Sequence, residues 1–130
     1  MAYYLSTQLH ANVDDTIARV ESALAEEGFG VVTRIDMRET LKKKIGADFR
    51  PYTILGACNP KAAFEALQIE DKVGTMLPCN VIVQQLDENR TEVAAIDPVA
   101  SMQAIDNPKL HAAAAEIRDR LSKVIDSLGS

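Results

Sequence analysis

The longest regular pattern in the chain lies near its C-terminal end. Leu110, Ala114, Ile117, Leu121, Val124 and Leu128 recur at steps of four, three, four, three and four, the stripe of an amphipathic helix. Asn107 followed by Pro108 supplies an N-cap and a proline at the first helical position. A helix from there to residue 128 is about 30 Å long, so its apolar stripe needs a partner surface of similar length. A sheet crossed from end to end provides one. The same spacing would suit a coiled-coil seam, but it lasts about three heptads and its early part is mostly alanine. The spacing therefore predicts a helix lying on a sheet, which the rest of the chain must supply.

Residues 3–9 read as a strand, with Tyr3, Leu5, Thr7 and Leu9 on one face. Asn12 then caps a helix whose stripe is Val13, Ile17, Val20 and Leu24, with Asp14 and Asp15 at its positive end and Gly28 as its terminator. Glu26 and Glu27 sit unfavourably at the negative end. Residues 29–35 read as a second strand. Asp36 and Glu39 form a variant capping box that opens a short helix to residue 45, with Lys42, Lys43 and Lys44 in its last turn and Gly46 as its stop. Pro51 precedes a third strand over 52–57.

Asn59 and Pro60 repeat the cap-plus-proline device for a helix to about residue 69, with Ala63, Leu67 and Phe64 facing inward. Residues 71–78 read as a loop containing Val73, Met76 and Leu77. Strands over 79–86 and 90–96 form a hairpin closed by Asp87, Glu88 and Asn89. Asp97-Pro98 ends the sheet, and 101–105 reads as a helical turn. The order β-α-β-α-β-α-β-β-α, with a late hairpin and uneven helices, favours an α+β two-layer sandwich over a doubly wound parallel sheet.

The 130 residues fit one domain over 1–130, and 47 % apolar against 25 % charged content is enough for one core. A net charge of −5 counts against a duplex nucleic-acid surface or an anionic membrane. With no Trp and 5 % aromatic residues, a base-stacking platform is poorly supplied. No run approaches the ~20 apolar residues of a membrane span, and residues 1–10 lack the basic and apolar regions of a signal peptide. Cys58 and Cys79 form no CxxC pair and are expected as reduced thiols in a cytoplasmic chain.

Three constellations carry chemistry. Cys58-Asn59-Pro60 closes a strand and opens a helix, and Pro78-Cys79-Asn80 opens another strand. If those strands are neighbours, Cys58, Asn59, Cys79 and Asn80 converge at one edge, where a helix start lowers a thiol pKa and suits a metal or small ligand. Against this, buried cysteines often only fill space, and Asn59 already serves as a cap. Phe49-Arg50-Pro51-Tyr52 brings Arg50 and a Tyr52 hydroxyl, and Arg50 with Lys61 at the helix start would form an anion site; as plain structure, these are rim aromatics and a solvated charge. Asp97 at a strand end is a candidate base or an Asx turn. His10 and His111 stand apart and match no metal motif, and no phosphate loop or nucleophile elbow occurs. An enzyme using a Cys58 thiolate would need a base near the thiol, and none is visible.

The segments Gly28-Phe29-Gly30-Val31 with 33–36, Asp48-Phe49-Arg50-Pro51-Tyr52, Ile54-Leu55-Gly56-Ala57-Cys58-Asn59-Pro60, Leu77-Pro78-Cys79-Asn80-Val81 and Ala95-Ile96-Asp97-Pro98 follow one another over nearly the whole chain. In this the chain resembles the domain-of-unknown-function 302 family of small bacterial and archaeal proteins. The resemblance implies an antiparallel sheet with helices packed against it, in a TATA-binding-protein-like arrangement, and a homodimer. It implies no established reaction and identifies no cofactor. The expected function is a dimeric small-ligand or metal-binding module using Cys58, Asn59, Cys79 and Asn80, with Arg50, Tyr52 and Asp97 nearby. The alternative is a structural or interaction protein working through its dimer surface, through the apolar segment 73–77 or through the last helix.

Overall fold

The computed structural model describes residues 2–129. In chain order these form β1 (Tyr4–Leu9), α1 (Val13–Glu26), β2 (Gly30–Asp36), α2 (Met37–Ile45), β3 (Tyr52–Cys58) and α3 (Pro60–Ile69). A 3-10 segment (Asp71–Met76), β4 (Cys79–Asp87), β5 (Arg90–Ile96), the single turn α4 (Pro98–Ser101) and α5 (Pro108–Leu128) follow. The strands make one sheet in the order β1-β5-β4-β3-β2, and every neighbouring pair is antiparallel. The fold is α+β, an antiparallel sheet with helices against it.

The caps form where their chemistry is placed. Asn12 Oδ1 accepts from the Asp15 amide at 2.8 Å, Asp36 Oδ1 from Glu39 at 3.0 Å and Asn59 Oδ1 from Ala62 at 3.1 Å. Each satisfies an amide that has no partner inside its helix. The awkward acidic end of α1 is also resolved: Arg120 of α5 donates to the Glu27 carbonyl at 3.2 Å, which places a cation at the helix's negative end.

Alternation along the strands sorts the sheet into two faces. Leu9, Leu55, Val81, Val83 and Val93 point to one face and are buried against Ile17, Val20 and Leu24 of α1 and Leu121, Val124 and Leu128 of α5. The α5 stripe is thus spent within the chain, its C-terminal half on the sheet and Leu110 and Ala114 in a second cluster, not on a seam. The second face carries a row that crosses all five strands, Ile35–Ile54–Ile82–Ala94–Ser6. Ile54, Ile82 and Ala94 remain only half-buried and Ile35 exposed, because α1 and α5 both lie on the first face.

Three expectations need correction. In α3 the inward residue is Ala66, while Phe64 and Leu67 are 63 % and 43 % exposed. The helix lies beyond the sheet's end, so its small face meets α5. Segment 71–76 is a 3-10 turn with Val73 fully buried. Ala66, Val73, Met102, Leu110 and Ala114 form a second, smaller core. The helical turn after the sheet is 98–101, because the Asp97 carboxylate caps it by accepting from the Val99 amide at 2.9 Å.

Gly56 marks a close approach. A Cβ there would run into the Thr33 hydroxyl and lie 2.7 Å from Pro78 Cγ, whereas a Cβ at Gly30 meets nothing within 4 Å. We expect Gly56→Ala to cost about 1–3 kcal/mol through overpacking and Gly30→Ala to be near neutral. Urea unfolding midpoints of the two variants check this, and equal midpoints would contradict the geometry.

Candidate functional site: an apolar cavity at the end of the sheet

Because Asn59 and Pro60 start α3 directly after β3, the helix turns across the end of the sheet. α5 begins at Pro108 and passes over the same end before reaching the sheet face. The facing residues of the two helices are alanines, Ala62, Ala63 and Ala66 against Ala113 and Ala114. Side chains that short do not fill the gap. They leave a cavity of about 280 Å³, partly open to solvent and walled elsewhere by Phe29, Ala57 and Cys79 of the main core and by Met102 and Leu110 of the second core. Among the described residues no Lys, Arg, His, Asp or Glu lines it; its polar side chains are Cys58, Asn59 and Cys79.

Cys79 is 8 % exposed and lies opposite Ala57 in the register, one residue from Cys58. Burial pushes its thiol up to about 11, and the neighbouring Cys58 adds to the shift. That is the reverse of an activated thiol, because Cys79 stands on a strand in an apolar floor. Cys58 is half-buried and precedes the α3 cap.

The structure brings Cys58, Asn59 and Cys79 together and separates the other candidates. Asn80 follows Cys79 in the strand, so it points to the opposite face. There it is exposed in an open groove with Tyr4, Tyr52 and Ile82. Tyr52 begins β3 and Cys58 ends it; six residues at about 3.3 Å each put them roughly 20 Å apart. Arg50 lies at the Tyr52 end, over the Phe49 ring at 4.4 Å and donating to Gln84 at 3.4 Å. An anion site of Arg50 with Lys61 is therefore not assembled, since Lys61 belongs to α3 at the Cys58 end. Asp97 is 5 % exposed; besides capping α4 it accepts from Arg118 Nε at 2.9 Å. Its buried charge is compensated on both sides, as a structural carboxylate requires.

The residues that shape the cavity most, the alanines of α3 and α5 with Met102 and Leu110, were not among the sequence candidates. The signal was present in the Ala112–Ala115 stretch, which reads as room for close approach. Only the placement of α3 shows that the room stays open.

An antiparallel sheet covered on one face, with a thiol-bearing apolar cavity at its end, defines a two-layer α+β protein with a small-molecule-sized void. The chain belongs to the family described as "Domain of unknown function DUF302", which matches residues 5–128. It is similar to the uncharacterized conserved protein DUF302 from Bacillus stearothermophilus, whose crystal structure superposes with a TM-score of 0.91. The two share 32 % identity over 98 % of this chain and 99 % of that one. Among curated proteins, none matches.

The Cys79 environment has a measurable pH signature. Its pKa lies near 11 when folded, against an ordinary 9.0. Below about pH 9 the thiol is protonated in both states. Above it the unfolded chain loses the proton first, so stability falls as pH rises from about 9 towards 11, by on the order of 2 kcal/mol. Urea midpoints at pH 8 and 10.5 should show a smaller fall in Cys79→Ala than in the parent; equal falls would contradict the buried, protonated thiol.

Proposed function

We propose that this protein is a dimeric small-molecule-binding module whose ligand occupies the cavity between α3, α5 and the end of the sheet. The observation that carries the reading is the cavity itself. Small-molecule sites are concave and mostly apolar, with a few placed polar groups. The α3 and α5 alanines keep this one open. Binding is favoured over catalysis, because no acid or base lines the cavity and the buried Cys79 thiol holds its proton. It is also favoured over a metal centre. The donors there are two sulfurs, and among the described residues no group of three or more His, Cys, Asp or Glu stands together. Two unpaired thiols suit a reducing compartment such as the cytoplasm. Among the described residues no helix is long and apolar enough to cross a membrane.

The dimer reading draws on the second sheet face. Its central row is apolar, and Glu92, a charge beside that row, accepts from Gln84 at 2.8 Å. A two-fold axis near Ile82 would lay row on row, the same patch against itself, as an isologous interface requires. Of the two surfaces expected from the sequence, segment 73–77 has Val73 buried and Met76 exposed, and the α5 stripe covers the sheet and α3.

Two measurements test these readings. A native mass spectrum of protein purified from its own host should show extra mass that Ala114→Leu removes while the circular-dichroism spectrum is unchanged. Extra mass insensitive to Ala114→Leu would place the ligand elsewhere, and none at all would count against the cavity reading. Light scattering should give a dimer for the parent and a monomer for Ile82→Glu; a monomeric parent would remove the dimer.

A further inference from the structure

The cavity walls discriminate by charge, which narrows the chemistry of what they accept. A buried ionised group needs a countercharge or several hydrogen bonds, and without them its burial is heavily unfavourable. No cationic or anionic side chain lines this cavity. Asn59 Oδ1 is already accepting from the Ala62 amide, which leaves the Asn59 Nδ2 group as the side-chain N–H donor on the wall. What remains are methyl groups, Phe29, Leu110 and Met102, with two thiols that are soft, polarizable and weak donors. Cys79 is buried and lines the cavity with its thiol protonated, so it meets the void as a neutral group. Size adds a second limit. A void of about 150 Å³ accommodates a benzene, and this one measures about 280 Å³.

Resting on the binding reading above, we propose that the ligand is a neutral, largely hydrocarbon molecule, comparable to two fused rings or a chain of about eight carbons. It lies between the alanines of α3 and α5. Any single polar group it carries sits beside Cys58 and Asn59, the half-buried polar part of the wall. Phosphates, nucleotides, carboxylates and free amino acids find no countercharge on these walls.

The test uses the full chain labelled with ¹³C at alanine methyls, titrated with 1-octanol and with octanoate at pH 7.5. The two share chain length and differ in charge. Octanol should shift the methyl resonances of Ala63, Ala66, Ala113 and Ala114 saturably, and octanoate should bind at least about tenfold more weakly, since an unpaired buried charge costs well over 1.4 kcal/mol. Ala114→Leu should abolish the octanol shifts. Octanoate binding as tightly as octanol, with the same methyls shifted, would overturn the neutral-ligand inference and leave the binding reading standing. Shifts that survive Ala114→Leu, or no shift with either compound, would overturn both.

Discussion

The structure hangs on the burial of one sheet face under α5. The C-terminal half of that helix, Leu121 to Leu128, closes the main core over Val81, Val83 and Val93 together with α1. Its N-terminal half runs past the sheet's end, and there Leu110 and Ala114 join Ala66, Val73 and Met102 in a second core. One rigid helix thus holds two separate hydrophobic clusters. The cavity lies at their junction, lined by Phe29, Ala57 and Cys79 from the first and by Ala66, Met102, Leu110 and Ala114 from the second. It is a consequence of architecture: one continuous helix that contributes to both clusters leaves space where they would otherwise merge.

Two arginines of α5 hold that helix across the junction. Arg118 pairs with the buried Asp97 carboxylate, which caps α4 below it. Arg120 donates to the Glu27 carbonyl at the end of α1. The two ties lead to different parts of the fold, so a shift of α5 to close the gap would break at least one charge-assisted contact. Gly28 sits close under the same place, where an added Cβ would lie 3.2 Å from Asn59 Nδ2 and 3.8 Å from Arg120 Nη1. Its φ of 85° is also one that glycine tolerates and other residues avoid. The chain around the cavity is therefore over-determined, although the cavity itself is open.

Local chemistry made much of this legible. The two Asn-Pro pairs, the Asp36 and Asn12 caps and Gly28 and Gly46 act over a few residues, so they mark helix ends whatever the tertiary context. The 110–128 stripe is long enough to demand a sheet. Legibility failed where a residue's direction depends on a partner element. Phe64 and Leu67 look like the core of α3, but the sheet stops short of them, and the small face turns to α5 instead. Cys79 and Asn80 look like one motif, but adjacent strand residues point to opposite faces. Arg50 and Tyr52 stand within ten residues of Cys58 in sequence, yet an extended strand carries them to the far end of the sheet.

That last separation gives the fold its division of labour. The cavity opens at the end of the sheet where β3 finishes and β4 begins, whereas the Ile35–Ile54–Ile82–Ala94 row lies on the face turned away from both α1 and α5. A second copy seated on that row would cover Tyr52, Ile82 and Gln84 without reaching the alanines of α3 and α5. Association and ligand binding would then use different sides of one sheet, joined through β3 and β4, whose central residues contribute to the face and whose ends contribute to the cavity. Between face and cavity β3 passes through Gly56, where Thr33 on one side and Pro78 on the other leave no room for a Cβ.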